Sequence, residues 1–348
     1  MTTPEALSKV FSLAAISFLL AMALTPILTQ FLFKHRLGKQ IRTSPDTPVF
    51  SKMHEKKRGT PTMGGILIWF ATIALAVTFW FLDRVAGIEW FHNLNFLTRQ
   101  QTLLPLGLML AAALLGLLDD YLGIRGVGSA KGGGLRARQR LILYGIIAGI
   151  GAWWFYYKLD FDQLFVPFYG TINIGWWYIP LFIFVVIATQ HSTNVTDGLD
   201  GLAGGVLATI FFAFGIIAFN QGRFELAAMT AVIGGALLAF LWFNIYPARF
   251  FMGDTGSMSL GTVLAAIAFL TNSVLILPIV GFILVMESAS VILQLASRKL
   301  FKRKIFLSAP VHHHFEAMGW PETKVTMRFW VISAVVAVVG VTLDLLSR

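Results

Sequence analysis

Long apolar runs separated by short polar stretches set the plan of this chain. They fall at about 10–33, 62–82, 101–118, 140–157, 176–190, 202–219, 225–243, 257–273, 275–297 and 326–346. Several approach or exceed the roughly twenty residues that a helix needs to cross a bilayer. The expected fold is all-α, a polytopic integral membrane protein with about ten transmembrane helices. The runs are continuous, unlike the weakly alternating segments of an outer-membrane barrel, which excludes that architecture. The fifth run is short and borrows residues on either side. Polar connectors at 220–224 and at Thr271-Asn272-Ser273 predict tight hairpins. The first run is too long for a signal-peptide core and ends in Pro26 and Gln30 without a cleavage site, so it reads as a retained span. There is no internal repeat and no long linker, and residues 1–348 read as a single transmembrane domain.

Composition agrees with that plan: 57% of residues are hydrophobic, 13% are charged and the mean hydropathy is +0.74. The charge distribution adds an orientation. Segment 34–60 holds eight bases (Lys34, Arg36, Lys39, Arg42, Lys52, Lys56, Lys57, Arg58). Segment 119–140 holds five, 244–256 has Arg249 and 298–328 holds seven. The other connectors and ends have only Lys9, Arg84, Arg99, Lys158, Arg223 and Arg348. By the positive-inside rule the first set faces the cytoplasm, and both termini face the outer, periplasmic or extracellular side. A net charge of +10 concentrated on that face attracts anionic membrane lipids and anionic soluble substrates, and no nucleic-acid partner is expected. The absence of cysteine excludes disulfides, thiolate zinc sites and a cysteine nucleophile.

Acids stand among those bases. Asp119, Asp120, Asp197, Asp200 and Asp254 all lie at or beside inner ends of spans, in the loops 119–139, 191–201 and 244–256. Placing acids beside a span is costly, so they mark a functional site. In His191-Ser192-Thr193-Asn194-Val195-Thr196-Asp197-Gly198-Leu199-Asp200, a helical conformation would put Asp197 and Asp200 on one face; the plainer alternative is that they cap the next helix. Asp119 and Asp120 diverge by about 100° on a helix, which suits two separate tasks. In Phe251-Met252-Gly253-Asp254-Thr255-Gly256-Ser257 a helix start would offer free N–H groups to phosphate. Asp254 there reads either as an N-cap or as a magnesium ligand. His312-His313-His314, in the loop 298–325, fits phosphate contact better than zinc; the plainer alternative, for at least one of the three, is a solvated loop. Lys57-Arg58-Gly59-Thr60-Pro61-Thr62-Met63-Gly64-Gly65, at the end of the loop 34–61, has the composition of a phosphate-handling loop without the Walker pattern. Lys131-Gly132-Gly133-Gly134 reads as a flexible loop. Glu287, deep in the ninth run, is expected to pair within the bundle or to be protonated. The picture is a cytoplasmic site suited to joining an anionic soluble donor to an anionic lipid by phosphoryl transfer.

Taken together, Lys57 to Gly65, Asp119-Asp120-Tyr121, Asn194 to Leu202, Leu241-Trp242-Phe243-Asn244, Phe251 to Ser257 and Pro310 to Glu316 with Gly319-Trp320-Pro321 resemble the phospho-N-acetylmuramoyl-pentapeptide transferases. The resemblance covers nearly the whole chain. It implies a magnesium-dependent reaction of UDP-N-acetylmuramoyl-pentapeptide with undecaprenyl phosphate, at the bacterial inner (cytoplasmic) membrane, in a homodimer of ten-span chains with a bent ninth helix beside a lipid groove. By motif, Asp254 would ligate magnesium, and Asp119 and Asp120 would deprotonate or orient the lipid phosphate. Asn194, Asp197, Asp200 and Phe251 would line the nucleotide pocket. Lys57, Asn244, His313 and His314 would contact phosphates or sugar, with His312 placed among the catalytic residues.

One departure is His191, where the resembled family usually has Asn; the expectation is that it supports Asp119 or Asp120 from behind. The runner-up reading is a polyprenyl-phosphate N-acetylglucosamine-1-phosphate transferase. A transporter or flippase is a reading of a different class, weakened because the acids cluster at the inner surface and not at mid-membrane.

Overall fold

The computed structural model describes residues 3–38, 57, 59–128 and 133–348. Lys39, Arg42, Lys52, Lys56, Arg58, Lys131 and Gly132 lie outside the described residues. The helices are α1 (Thr3–Lys34), α2 (Ile66–Ala86), α3 (Glu89–Leu94), α4 (Leu103–Arg125) and α5 (Ala137–Lys158). After a short hairpin follow α6 (Tyr178–Thr196), α7 (Leu202–Asn220), α8 (Phe224–Asn244), α9 (Gly253–Leu270), α10 (Leu277–Val280), α11 (Phe282–Phe301), α12 (Val311–Ala317) and α13 (Glu322–Ser347).

Among the described residues, eight helices are long and apolar enough to cross a membrane: α1, α2, α4, α6 with the turn before it, α7, α8, α9 and α13. The fourth and ninth apolar runs form helices too, but less apolar ones. α5 opens on Arg138 and Arg140 and ends in Trp153-Trp154-Phe155-Tyr156-Tyr157. The ninth run is divided: α10 stops after one turn, Gly281 (φ −92°, ψ 26°) leaves the helical region, and α11 carries Glu287, Ser288, Ser290, Gln294 and Ser297 on its buried side.

The all-α expectation needs one amendment. Strands β1 (Gln163–Val166) and β2 (Gly170–Asn173) pair antiparallel, with Gln163 opposite Asn173 and Val166 opposite Gly170. Four residues per strand is too short for alternation to stand out in sequence. The hairpin lies at the bundle end that carries α1's start and α13's finish. Phe165 N–H donates to Asn272 Oδ1 (2.9 Å), Lys9 Nζ to Asn95 O (2.8 Å), and Arg348 to the Thr271 carbonyl (3.0 Å) while pairing with the buried Asp344.

α9 is the centre of the bundle, 94% buried, with α4 and α6 packed along it. Small residues make that possible. A Cβ on Gly116 would meet the backbone of Asp254 and Thr255, one on Gly261 the backbone of Gln190, and one on Gly65 the backbone of Gly256 and Met252. This is the small-residue packing by which membrane helices approach closely. The hydroxyls along α9 are internally satisfied: Thr255 donates to Ala113 O (2.9 Å), Ser259 to Thr255 O (2.7 Å) and Thr262 to Met258 O (2.9 Å). Gly65→Ala, whose new methyl meets backbone that cannot yield, is expected to cost about 3 kcal/mol, read as a lower melting temperature in detergent.

Candidate active site

The helix ends opposite the hairpin bring the polar loops together. Asp119, in the last turns of α4, is buried; its Oδ1 accepts the Leu135 N–H at 2.7 Å, and its Oδ2 lies 2.5 Å from Arg140 Nε. That second approach is a charge contact without hydrogen-bond alignment. Arg140 also reaches Asp254 Oδ2 at 3.1 Å, so one guanidinium bridges two carboxylates from different helices. Asp254 Oδ1 accepts from Asn194 Nδ2 at 2.8 Å, and the same amide donates to Ser257 Oγ at 3.0 Å. One turn beyond Arg140, the buried Tyr144 hydroxyl has no hydrogen-bond partner and sits in the field of Asp254, Asp119 and Asp120.

Asp120 turns elsewhere, as the 100° divergence requires. Its Oδ2 accepts the Thr255 N–H at 3.0 Å, capping the start of α9 from a neighbouring helix. The free helix N-terminus expected for phosphate at 253–255 is thus already engaged by a carboxylate.

The 191–202 stretch is helical only in part, which corrects the expectation that Asp197 and Asp200 share a helical face. α6 ends at Thr196, Asp197 is its C-cap (φ −77°, ψ 54°), and the chain turns through Gly201, where φ is +76°, before α7 begins. Asp200 does not cap α7. Its Oδ1 lies 2.7 Å from Lys57 Nζ and its Oδ2 accepts the Ala248 N–H at 3.0 Å. Lys57 also lies 2.5 Å from Glu322 Oε1, and that oxygen accepts the Asp200 N–H at 2.6 Å. The Lys57 ammonium stands 6.0 Å from the Phe251 ring centre.

Asn244 is buried and uses both ends of its amide on backbone: Oδ1 accepts from Gly201 N–H (3.0 Å) and Nδ2 donates to Phe250 O (2.9 Å). It ties the turn after Asp200 to the loop before Asp254. The Pro61-to-Gly65 stretch is likewise a backbone seam. Phe251 N–H donates to Pro61 O (2.8 Å), Gly64 N–H to Phe251 O (2.8 Å) and Gly65 N–H to Met252 O (2.9 Å). Of the stretch read as phosphate-handling, Lys57 keeps a charged group at the site, and the glycines let the seam close.

The three histidines sit on the short helix α12 and do not converge on one ligand. His312 is fully buried, its Nδ1 2.9 Å from Glu287 Oε2. His313 Nδ1 meets Glu316 Oε2 at 2.6 Å, and His314 Nδ1 accepts the Leu307 N–H at 3.1 Å. Among the described residues no group of three or more His, Asp or Glu side chains gathers in metal-binding geometry. His191 is exposed and makes no hydrogen bond or ion pair with the described residues, so it does not support Asp119 or Asp120. Arg140, Glu322 and Tyr144 escaped the reading of the sequence. Arg140 is one of five bases in segment 119–140, and Glu322 directly follows the Gly319-Trp320-Pro321 motif.

A helical membrane bundle that gathers carboxylates, cations and histidines at one end has the make-up of a membrane-bound group transferase, and residues 102–272 match the model for glycosyl transferase family 4. Residues 57–68 match signature 1 of the phospho-N-acetylmuramoyl-pentapeptide-transferases. Curated proteins of that name align nearly end to end. One from Chloroflexus aggregans is 37% identical over 98% of this chain and 90% of its own length. One from Geobacillus kaustophilus is 37% identical, covering 95% and 96%. One from Clostridium perfringens is 40% identical, covering 94% of each. The chain belongs to the phospho-N-acetylmuramoyl-pentapeptide-transferase family.

Proposed function

We propose that this chain moves phospho-N-acetylmuramoyl-pentapeptide from its UDP carrier to undecaprenyl phosphate, giving the lipid-linked product and UMP. The observation that carries the reading is the convergence of Asp119, Arg140, Asp254 and Asn194 within a near full-length family match. An oxygen of the lipid phosphate attacks the sugar-linked phosphorus of the donor, the bond from that phosphorus to the bridging oxygen breaks, and UMP leaves with the electron pair. Direct attack is favoured over an aspartyl intermediate. The acceptor brings its own oxyanion, and the oxygens of Asp254 and Asp119 already face Asn194, Arg140 and the Leu135 N–H.

The donor set fits magnesium. Two carboxylates already meet one cationic group, and a magnesium shell commonly takes one or two carboxylates, with waters and substrate phosphates completing it. Asp254 would hold the ion with Asp119 beside it, and when bound it supplies neutralisation of charge on the transferring phosphate. Asp120 braces α9 under this pair while orienting the acceptor, and Arg140 turns to the lipid phosphate. Lys57, Asp197, Asp200, Phe251 and Asn194 form the nucleotide pocket, Asn244 shapes its floor, and His312, His313 and His314 border the donor's phosphates and sugar.

In this reading α5 and the divided α10–α11 complete ten spans of a single membrane domain, the site faces the cytoplasm and the termini face outward in the inner membrane. Two copies pair as a homodimer, and the groove beside α11 takes the lipid. The test is UMP release by purified protein in detergent with undecaprenyl phosphate and magnesium, offering UDP-N-acetylmuramoyl-pentapeptide and UDP-N-acetylglucosamine side by side. Turnover of the first alone is expected. Turnover of the second moves the chain to the sister transferases, and turnover of neither reopens transport. Chelating divalent ions is expected to stop release and added magnesium to restore it; release that persists in chelator sinks the metal assignment.

A further inference from the structure

The transferase reading places His312 at the donor and leaves its partner Glu287 without a role. Both side chains are fully buried, on α11 and α12, with Nδ1 to Oε2 at 2.9 Å. Each keeps a second polar atom, Glu287 Oε1 and His312 Nε2, buried without a hydrogen-bond partner. Unpartnered buried polar atoms are costly, and a carboxylate held within a membrane helix more so. The His312 ring is also directed: a Cβ on Gly198 would come within 2.2 Å of Nε2, so that nitrogen lies against the turn from Asp197 to Asp200. The pair therefore joins the divided ninth run to the turn that carries two donor-pocket acids.

We propose that Glu287 is a positioning residue for donor recognition. Its carboxylate takes the Nδ1–H of His312 and fixes the ring, so that Nε2 is held against the turn carrying Asp197 and Asp200 and sets that turn for the anionic nucleotide sugar. A carboxylate that orients an imidazole through Nδ1–H is an established device in acyl-transfer sites. Here it serves binding. Ser288, next on α11, anchors the same stretch to α6 by donating to Ser192 Oγ at 2.8 Å.

This rests on the transferase reading, and the experiment separates the two. UMP release is measured against each substrate for the wild type, Glu287→Gln, His312→Gln and the double variant, with melting temperatures in detergent. Glu287→Gln is expected to raise the KM for UDP-N-acetylmuramoyl-pentapeptide about tenfold with the KM for undecaprenyl phosphate unchanged. The double variant is expected to be no worse than His312→Gln, because Glu287 acts through the ring. An active wild type with an unchanged donor KM in Glu287→Gln, or with additive losses in the double variant, overturns the proposal alone. If Glu287→Gln does not fold, an unchanged donor KM in His312→Gln overturns it by itself. A wild type that releases no UMP overturns the transferase reading, and this proposal with it.

Discussion

Asp254→Asn is expected to lower UMP release roughly a thousandfold while the melting temperature stays near that of the wild type. The asparagine keeps the shape, and its carbonyl still accepts the Asn194 amide that now meets Oδ1 at 2.8 Å. What disappears is the negative charge facing Arg140, at the position where a phosphate-bound cation would sit. Charge stabilisation aimed at a transferring phosphoryl group is commonly the largest single contribution to such a reaction. A variant that keeps more than a tenth of the activity would remove Asp254 from the centre of the chemistry.

Arg140→Gln should act first on stability. Asp119 is 1% exposed at its side chain, and its negative charge is tolerated there because a guanidinium lies against it. Removing one partner of a buried pair leaves the other charged and alone, at a cost of about 3 kcal/mol. Asp254 then faces Asp119 with nothing between them, and like charges at that range repel. The variant should therefore melt well below the wild type in detergent, and magnesium should recover more of the difference in the variant than in the wild type. Equal shifts in both proteins would mean that the two carboxylates are not where the metal goes.

Much of this site could be read from the chain because membrane proteins separate their chemistry in sequence. Apolar runs mark the spans, and charged residues collect between them, so Asp119, Asp254 and Lys57 stood out before any contact was known. The partners did not. Arg140 looked like one more inner-face base, and only the approach of α5 to α4 and α9 shows that it bridges two acids. Glu287 and His312 lie 25 residues apart, with a connecting segment of no simple periodicity. Asn244 and Gly64-Gly65 carried motif-like signals whose physical content is backbone closure. The same side chains serve for ligand contact and for internal sealing, and sequence does not distinguish the two. At Asp197–Gly201, two acids spaced at i, i+3 suit a helix as well as a loop, and the chain takes the loop.

The central place of α9 bears on how the protein is made. It is among the least apolar of the eight spanning helices and the most completely enclosed, with Thr255, Ser257, Ser259 and Thr262 turned into its neighbours. A segment of that make-up has little reason to stay in lipid by itself. It follows α4 and α6 in the chain, so both of its packing partners are synthesised before it emerges. Its insertion is then an act of joining a half-built bundle, and the order of the spans along the gene doubles as an order of assembly.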